Sequence, residues 1–153
     1  MSAPSALFSA AADALGSAGA RGLILTSNDD IAGRMSAAIG AGHGVWPFVP
    51  LGPVLDRCQA VIHAGGHGTN AAVLTAGLPS AIVPAVTDQV WHARRIEQLG
   101  VGVRVKRREL GEAVRTLIAD GGLRERAGAL GRKLRAENGP AAAADLVEIA
   151  IGR

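Results

Sequence analysis

Residues 63–89 read HAGGHGTNAAVLTAGLPSAIVPAVTDQ, and this stretch decides the fold class. It opens on the end of an apolar run, AVIHA over 60–64, that reads as a buried strand. Gly65, Gly66 and Gly68 break that run, and TNAAVLTAG then carries a helical pattern that Gly77 stops. A second apolar run, SAIVPA over 80–85, reads as another buried strand. Thr87 then caps a helix that ends at Gly100. Neither strand alternates between apolar and polar residues, so both faces are expected to be covered, and each strand feeds a helix. Together these features predict a parallel sheet with helices on both faces, a Rossmann-like α/β fold.

The pattern continues in both directions. Upstream, PSALFSAAADALGSAG predicts a helix closed by Gly16 or Gly19, GLILTS (22–27) a strand, and NDDIAGRMSAAIGAG (28–42) a helix capped by Asn28 or Asp29. GVWPFVP (44–50) is extended, because two prolines exclude a helix interior, and PVLDRC makes a single helical turn. Downstream, VGVRVK alternates like a strand. Beyond it only helices are expected. Leu110, Val114, Leu117 and Ile118 share one face, Leu123, Ala127, Leu130 and Leu134 another, and Pro140 starts the last helix. The expected organisation is one domain over residues 1–153, closed by helices over 109–151.

Composition narrows the function classes. Hydrophobic residues make up 48% but aromatics only 3%, so Ala, Val, Leu and Ile must fill the core. Cys58 is the single cysteine, which excludes an internal disulfide and gives no sign of an oxidising compartment. Its place just before a buried strand suggests an inert core thiol. No apolar run approaches a membrane span. The first nineteen residues lack a basic segment and are interrupted by Asp13, so they read as a helix of a soluble, cytoplasmic protein rather than a signal peptide. The net charge is +3, yet residues 101–135 hold ten of the sixteen Lys and Arg against four Asp or Glu. Such a patch suits a solvated helix face or an anion-binding or nucleic-acid-binding module over 104–135. The lack of interleaved aromatics argues against single-stranded nucleic acid. His43, His63, His67 and His92 lack the paired spacing of a metal site.

A strand running into a glycine turn and then a helix is suited to anions. Glycine lets the backbone approach a ligand, and the helix start offers free N–H groups at a positive dipole end. Phosphate is the common anion, and Thr69 either caps the helix or offers its hydroxyl. The same glycines also serve a plain tight turn. The spacing matches neither the P-loop, which needs a Lys after the last Gly, nor the dinucleotide fingerprint. Asp88 and Gln89 stand at the next helix start. A carboxylate beside an amide suits vicinal sugar hydroxyls, and Asp88 also suits a helix N-terminus by charge alone. On successive strands, a phosphate cradle and a hydroxyl clamp share one rim, which fits a sugar diphosphate.

Phe48 to Val105, FVPLGPVLDRCQAVIHAGGHGTNAAVLTAGLPSAIVPAVTDQVWHARRIEQLGVGVRV, resembles the donor-binding half of GT-B glycosyltransferases. The nearest likeness is to the nucleotide-sugar-dependent transferases of macrolide, glycopeptide and plant secondary metabolism. It rests on the glycine turn with G-x-P, P-x-x-x-DQ and LGVG. The resemblance implies a UDP- or TDP-sugar donor, with its diphosphate on Gly66, His67, Gly68 and Thr69. It implies sugar contacts from Asp88 and Gln89, and base contacts from Phe48 and Val49. Trp46 is left to core or rim packing. No cofactor and no divalent metal are implied, and inversion at the sugar is.

Three departures qualify the likeness. Ala64 stands where the family usually has a phosphate-binding His. Strand alternation turns His63 to the opposite face, which leaves His67 in the turn as the better substitute. Ala72 replaces an acid that many members direct at the ribose. The resemblance implies an N-terminal acceptor domain, with the base that activates the acceptor, and a first donor-domain strand ahead of Met1. The chain is expected to lack both, as a fragment, a mis-called start or one half of a split enzyme. That strand is central in a 3-2-1-4-5-6 sheet, so its neighbours must pair directly or take a strand from another chain. His92, on the helix after Asp88, is expected to pack. Two functions follow as expectations. One is the donor half of a hexosyltransferase acting on a small hydroxyl acceptor, with no candidate base in this chain and little activity alone. The other is a degenerate donor domain serving as non-catalytic partner or regulator of another transferase.

Overall fold

The structure is a computed structural model and describes residues 3–38 and 42–152. The elements run α1 (Ala3–Ser17), β1 (Gly22–Leu25), α2 (Asp29–Ala38), β2 (His43–Trp46), α3 (Leu51–Leu55), β3 (Val61–His63) and α4 (His67–Ala76). They continue β4 (Ser80–Ile82), α5 (Thr87–Gln98), β5 (Gly102–Arg104), a 3-10 turn (Arg107–Glu109), α6 (Leu110–Ala119), α7 (Gly121–Glu137) and α8 (Gly139–Ala150). This is the expected α/β alternation closed by helices, and all strand pairs are parallel. Residues 39–41 of the expected 28–42 helix lie outside the described residues.

Local signals act as the sequence suggested, with some refinements. The Asn28 side chain, not Asp29, caps α2 by accepting from the Ile31 N–H at 3.0 Å. Gly77, at φ 74, ends α4 in the left-handed region. Thr87 is the first residue of α5 and Val86 its cap position, so Thr87 is not the cap. Instead the Gln89 side chain folds back, its Oε1 accepting from the Ala85 N–H at 2.8 Å and the Val86 N–H at 3.3 Å.

β4 explains why its run shows no alternation. Ala81 faces a cluster with α1, α6 and Leu123, while Ile82 faces α5 and α7 residues Ala93, Ile96 and Ala127. Both residues are fully buried, because helices cover both faces. A third, smaller cluster joins Ala12 of α1, Ile24 of β1, and Ile31 and Met35 of α2.

The sheet itself is divided. β1 pairs with β2, and β3-β4-β5 form a separate group. Direct pairing of β1 with β3, one of the two outcomes expected without a central strand, does not occur among the described residues. α1 packs into the clusters of both groups, with Ala11 and Ala14 in one and Ala12 in the other.

Several arginines of the basic stretch serve helix ends. Arg126 Nε donates to the Gly100 carbonyl after α5 at 2.7 Å, and Arg124 donates to the Ile118 carbonyl of α6 at 2.8 Å. Arg135 donates to the Thr75 carbonyl of α4. Each cation meets the negative end of a helix and satisfies a carbonyl that the helix leaves free. This accounts for part of the charge cluster without a nucleic-acid partner. Among the described residues, no helix is long and apolar enough to cross a membrane.

Candidate anion-binding turn

β3 delivers its end to the rim beside β4, with His63 opposite Ile82. The chain then reverses at Gly65, φ 93, a region that side chains disfavour. A Cβ on Gly65 would stand 2.9 Å from Ile82 Cγ2 and 3.3 Å from the Gln89 carbonyl oxygen. Glycine is therefore what lets the turn lie against β4 and the start of α5. α4 begins at once, with Gly66 as its cap residue, no side-chain cap and no acid in its first turn. The Asn70 N–H bonds to the Gly66 carbonyl at 2.9 Å and closes the first helical turn. That leaves the N–H groups of His67, Gly68 and Thr69 without a partner in the helix.

The His63 ring bonds to the glycine turn, its Nδ1 accepting the Gly65 N–H at 3.1 Å. The reversal at Gly65 carries that N–H back to the ring. With Nδ1 accepting, the proton of the neutral ring sits on Nε2. Nε2 is buried and has no partner among the described residues. Burial pushes the imidazole pKa down to about 4, so near neutral pH His63 is an uncharged donor.

The Gly65 carbonyl collects two donors. Asn70 Nδ2 reaches it at 2.7 Å and His92 Nδ1 at 3.0 Å. His92 thus does more than the packing expected of it. The His67 ring centroid lies 5.7 Å from that of His92, and Trp91 meets His92 edge-on at 5.4 Å. Asp88 and His92, four residues apart, share one face of α5, the one signal that points His92 toward the rim. The direction of the His63 ring left no such signal.

The structure brings Gly66, His67, Gly68 and Thr69 to one helix start and lays Gln89 against Gly65. Asp88 is exposed beside it. The carbonyl end of the Gln89 amide is spent on the loop, so only its NH2 is left for a ligand. Phe48 and Val49 lie in the loop before α3, and that helix packs against α4. Phe48 is 79% exposed and joins none of the clusters; Trp46, at 56%, is not a core residue either. Cys58 is half-buried, and burial raises its thiol pKa. Chemically, free backbone donors and a positive dipole end meet at the start of α4, where an anion can be held without a counter-cation.

Residues 13–149 match the family model described as erythromycin biosynthesis protein CIII-like, C-terminal domain. The chain belongs to this family. It is a C-terminal domain of the GT-B glycosyltransferase type. CalG4, the calicheamicin glycosyltransferase, superposes over 100% of this chain and 40% of its own, with a TM-score of 0.84 and 27% identity. The O-mycaminosyltylonolide 6-deoxyallosyltransferase of Streptomyces fradiae is 35% identical over 101 residues, covering 62% of this chain and 24% of that protein. The sterol 3-beta-glucosyltransferase of Komagataella phaffii is 34% identical over 98 residues, covering 62% of this chain and 8% of that protein. This member of the CIII-like family therefore spans well under half the length of the relatives it matches.

Proposed function

We propose that this chain holds the nucleoside-diphosphate sugar of a hexosyl transfer to a hydroxyl acceptor. The diphosphate would sit on the start of α4. The observation that carries this reading is the glycine turn at Gly65, which sets the uncapped N–H groups of His67, Gly68 and Thr69 at the rim beside β4 and the start of α5. The family, whose named relatives are glycosyltransferases, supports the substrate class.

In the transfer, an acceptor oxygen attacks the anomeric carbon while the bond from that carbon to the diphosphate oxygen breaks. Negative charge gathers on the departing diphosphate. The α4 donors meet it in a fixed arrangement, and this is where the turn lowers the barrier. Asp88 and the Gln89 NH2 group would orient the sugar hydroxyls, and Phe48 and Val49 the base. The proton of the acceptor must go to a base outside this chain, on an acceptor-binding half.

Calorimetric titration of the folded chain with uridine and thymidine diphosphates tests the reading. Micromolar binding is expected, and at least about tenfold weaker binding in Gly65→Ala, whose Cβ would stand 2.9 Å from Ile82 Cγ2 and push the turn out of place. No binding by the folded, unmodified chain would sink the donor-site reading and favour a non-catalytic partner of another transferase.

A further inference from the structure

We propose that His92 is a positioning residue for the turn, holding the Gly65–Gly66 peptide so that the Gly66 N–H is aimed at the anion. The inference rests on the donor-site reading above and adds a residue from another element to it. The His92 bond joins α5 to the β3–α4 turn across 27 positions of sequence.

The argument follows from peptide geometry. A carbonyl oxygen only accepts, so His92 must present Nδ1–H to Gly65, which fixes its neutral tautomer with the lone pair on Nε2. The Gly65 oxygen is held from two sides, by Asn70 within α4 and by His92 from α5. Asn70 is buried, so this bond draws the carbonyl toward the interior. In a planar trans peptide the C=O of one residue and the N–H of the next point in opposite directions. Fixing the Gly65 carbonyl therefore fixes the Gly66 N–H away from those donors. Two bonds to the carbonyl also polarise that peptide and strengthen its N–H as a donor. The backbone alone does not secure this orientation, because Gly65 and Gly66 are both glycine and resist rotation least of all residues. His63 occupies the Gly65 N–H, which leaves Gly66 as the first free amide of the turn.

The test uses the full, isotope-labelled chain with His92→Leu and His92→Asn. Leucine fills the space and removes the donor, whereas the Asn amide nitrogen falls close to the place of Nδ1 and can restore it. Two readouts are taken: the Gly66 amide resonance in the free chain, and affinity for uridine and thymidine diphosphates. We expect His92→Leu to shift the Gly66 resonance and weaken binding at least about tenfold, and His92→Asn to keep both near the unmodified values. Unchanged affinity in His92→Leu, where the unmodified chain binds, overturns this inference and leaves the donor site standing. Equal losses in both variants with unaltered circular dichroism overturn it too, since the donor is then not what matters. Should the variants fail to fold, the imidazole nitrogen spectrum of the unmodified chain decides. An Nδ1–H tautomer is expected, and Nε2–H overturns the proposal. Absence of nucleotide binding by the folded, unmodified chain is the separate failure of the donor reading.

Discussion

At His63 the turn of the backbone decides the chemistry of the side chain. The Gly65 N–H returns to Nδ1 and leaves the proton on a buried Nε2. The imidazole pKa is lowered from 6.5 to about 4 by burial, so below pH 6.5 the unfolded chain takes up a proton that the folded chain refuses. This contribution to stability is complete above pH 6.5 and is lost as pH falls toward 4, by up to about 3 kcal/mol. Urea unfolding at pH 7.5 and 4.5 checks it: His63→Gln should show a distinctly smaller loss between the two than the unmodified chain. Equal losses would mean that His63 is not buried neutral. None of this was legible at position 63. Strand alternation assigns the ring a face but carries no information about a left-handed residue two positions on, which brings an N–H to it. Gly66, His67, Gly68 and Thr69 were legible, since a helix start after a glycine turn is a local pattern. The His92 contact was not, because it depends on how α5 packs.

Among elements, α4 and α7 approach closely. Gly131 lies inside α7, and a Cβ there would fall 2.6 Å from Gly77 Cα and 2.9 Å from the Leu74 carbonyl oxygen. These are backbone atoms that cannot rotate aside, so the helices must part to admit even a methyl group. Gly131→Ala should cost about 1–3 kcal/mol, read as a lowered urea midpoint with unchanged slope. The short axis of contact sets where the C-terminal end of α4 lies, and Arg135 secures it on the Thr75 carbonyl. Sequence gave good notice of these elements: the flat apolar runs marked strands, and Gly77 and Gly100 marked helix ends. Strand ends were less legible. SAIVPA reads as one run, but β4 ends at Ile82; the Val83 N–H still donates to the His63 carbonyl at 3.0 Å, and Pro84 has no N–H to carry the ladder further. The role of the arginines was hidden as well, since a cation on a distant helix end looks in sequence like any solvated charge.

The molecule as a whole is two strand groups sharing helix α1. The β1-β2 group rests on a cluster of Ala12, Ile24, Ile31 and Met35, far less apolar surface than the two clusters flanking β4 provide. Protection should differ accordingly. In hydrogen exchange of the full chain, amides of 22–25 and 43–46 should exchange well before those of 80–82, and uniform protection would show a single cooperative unit. The family likeness announced a central strand between these groups, but sequence alone could not tell whether the neighbours would close over its place. Among the described residues they do not; each group has helices packed on it, and α1 contributes to the clusters of both. A continuous sheet of five strands has two edges, whereas these five strands present four, at β1, β2, β3 and β5. Every open edge is a row of N–H and C=O groups able to take up a strand from a neighbouring molecule. Among the described residues there are thus four strand edges, not two, at which a neighbouring strand can pair.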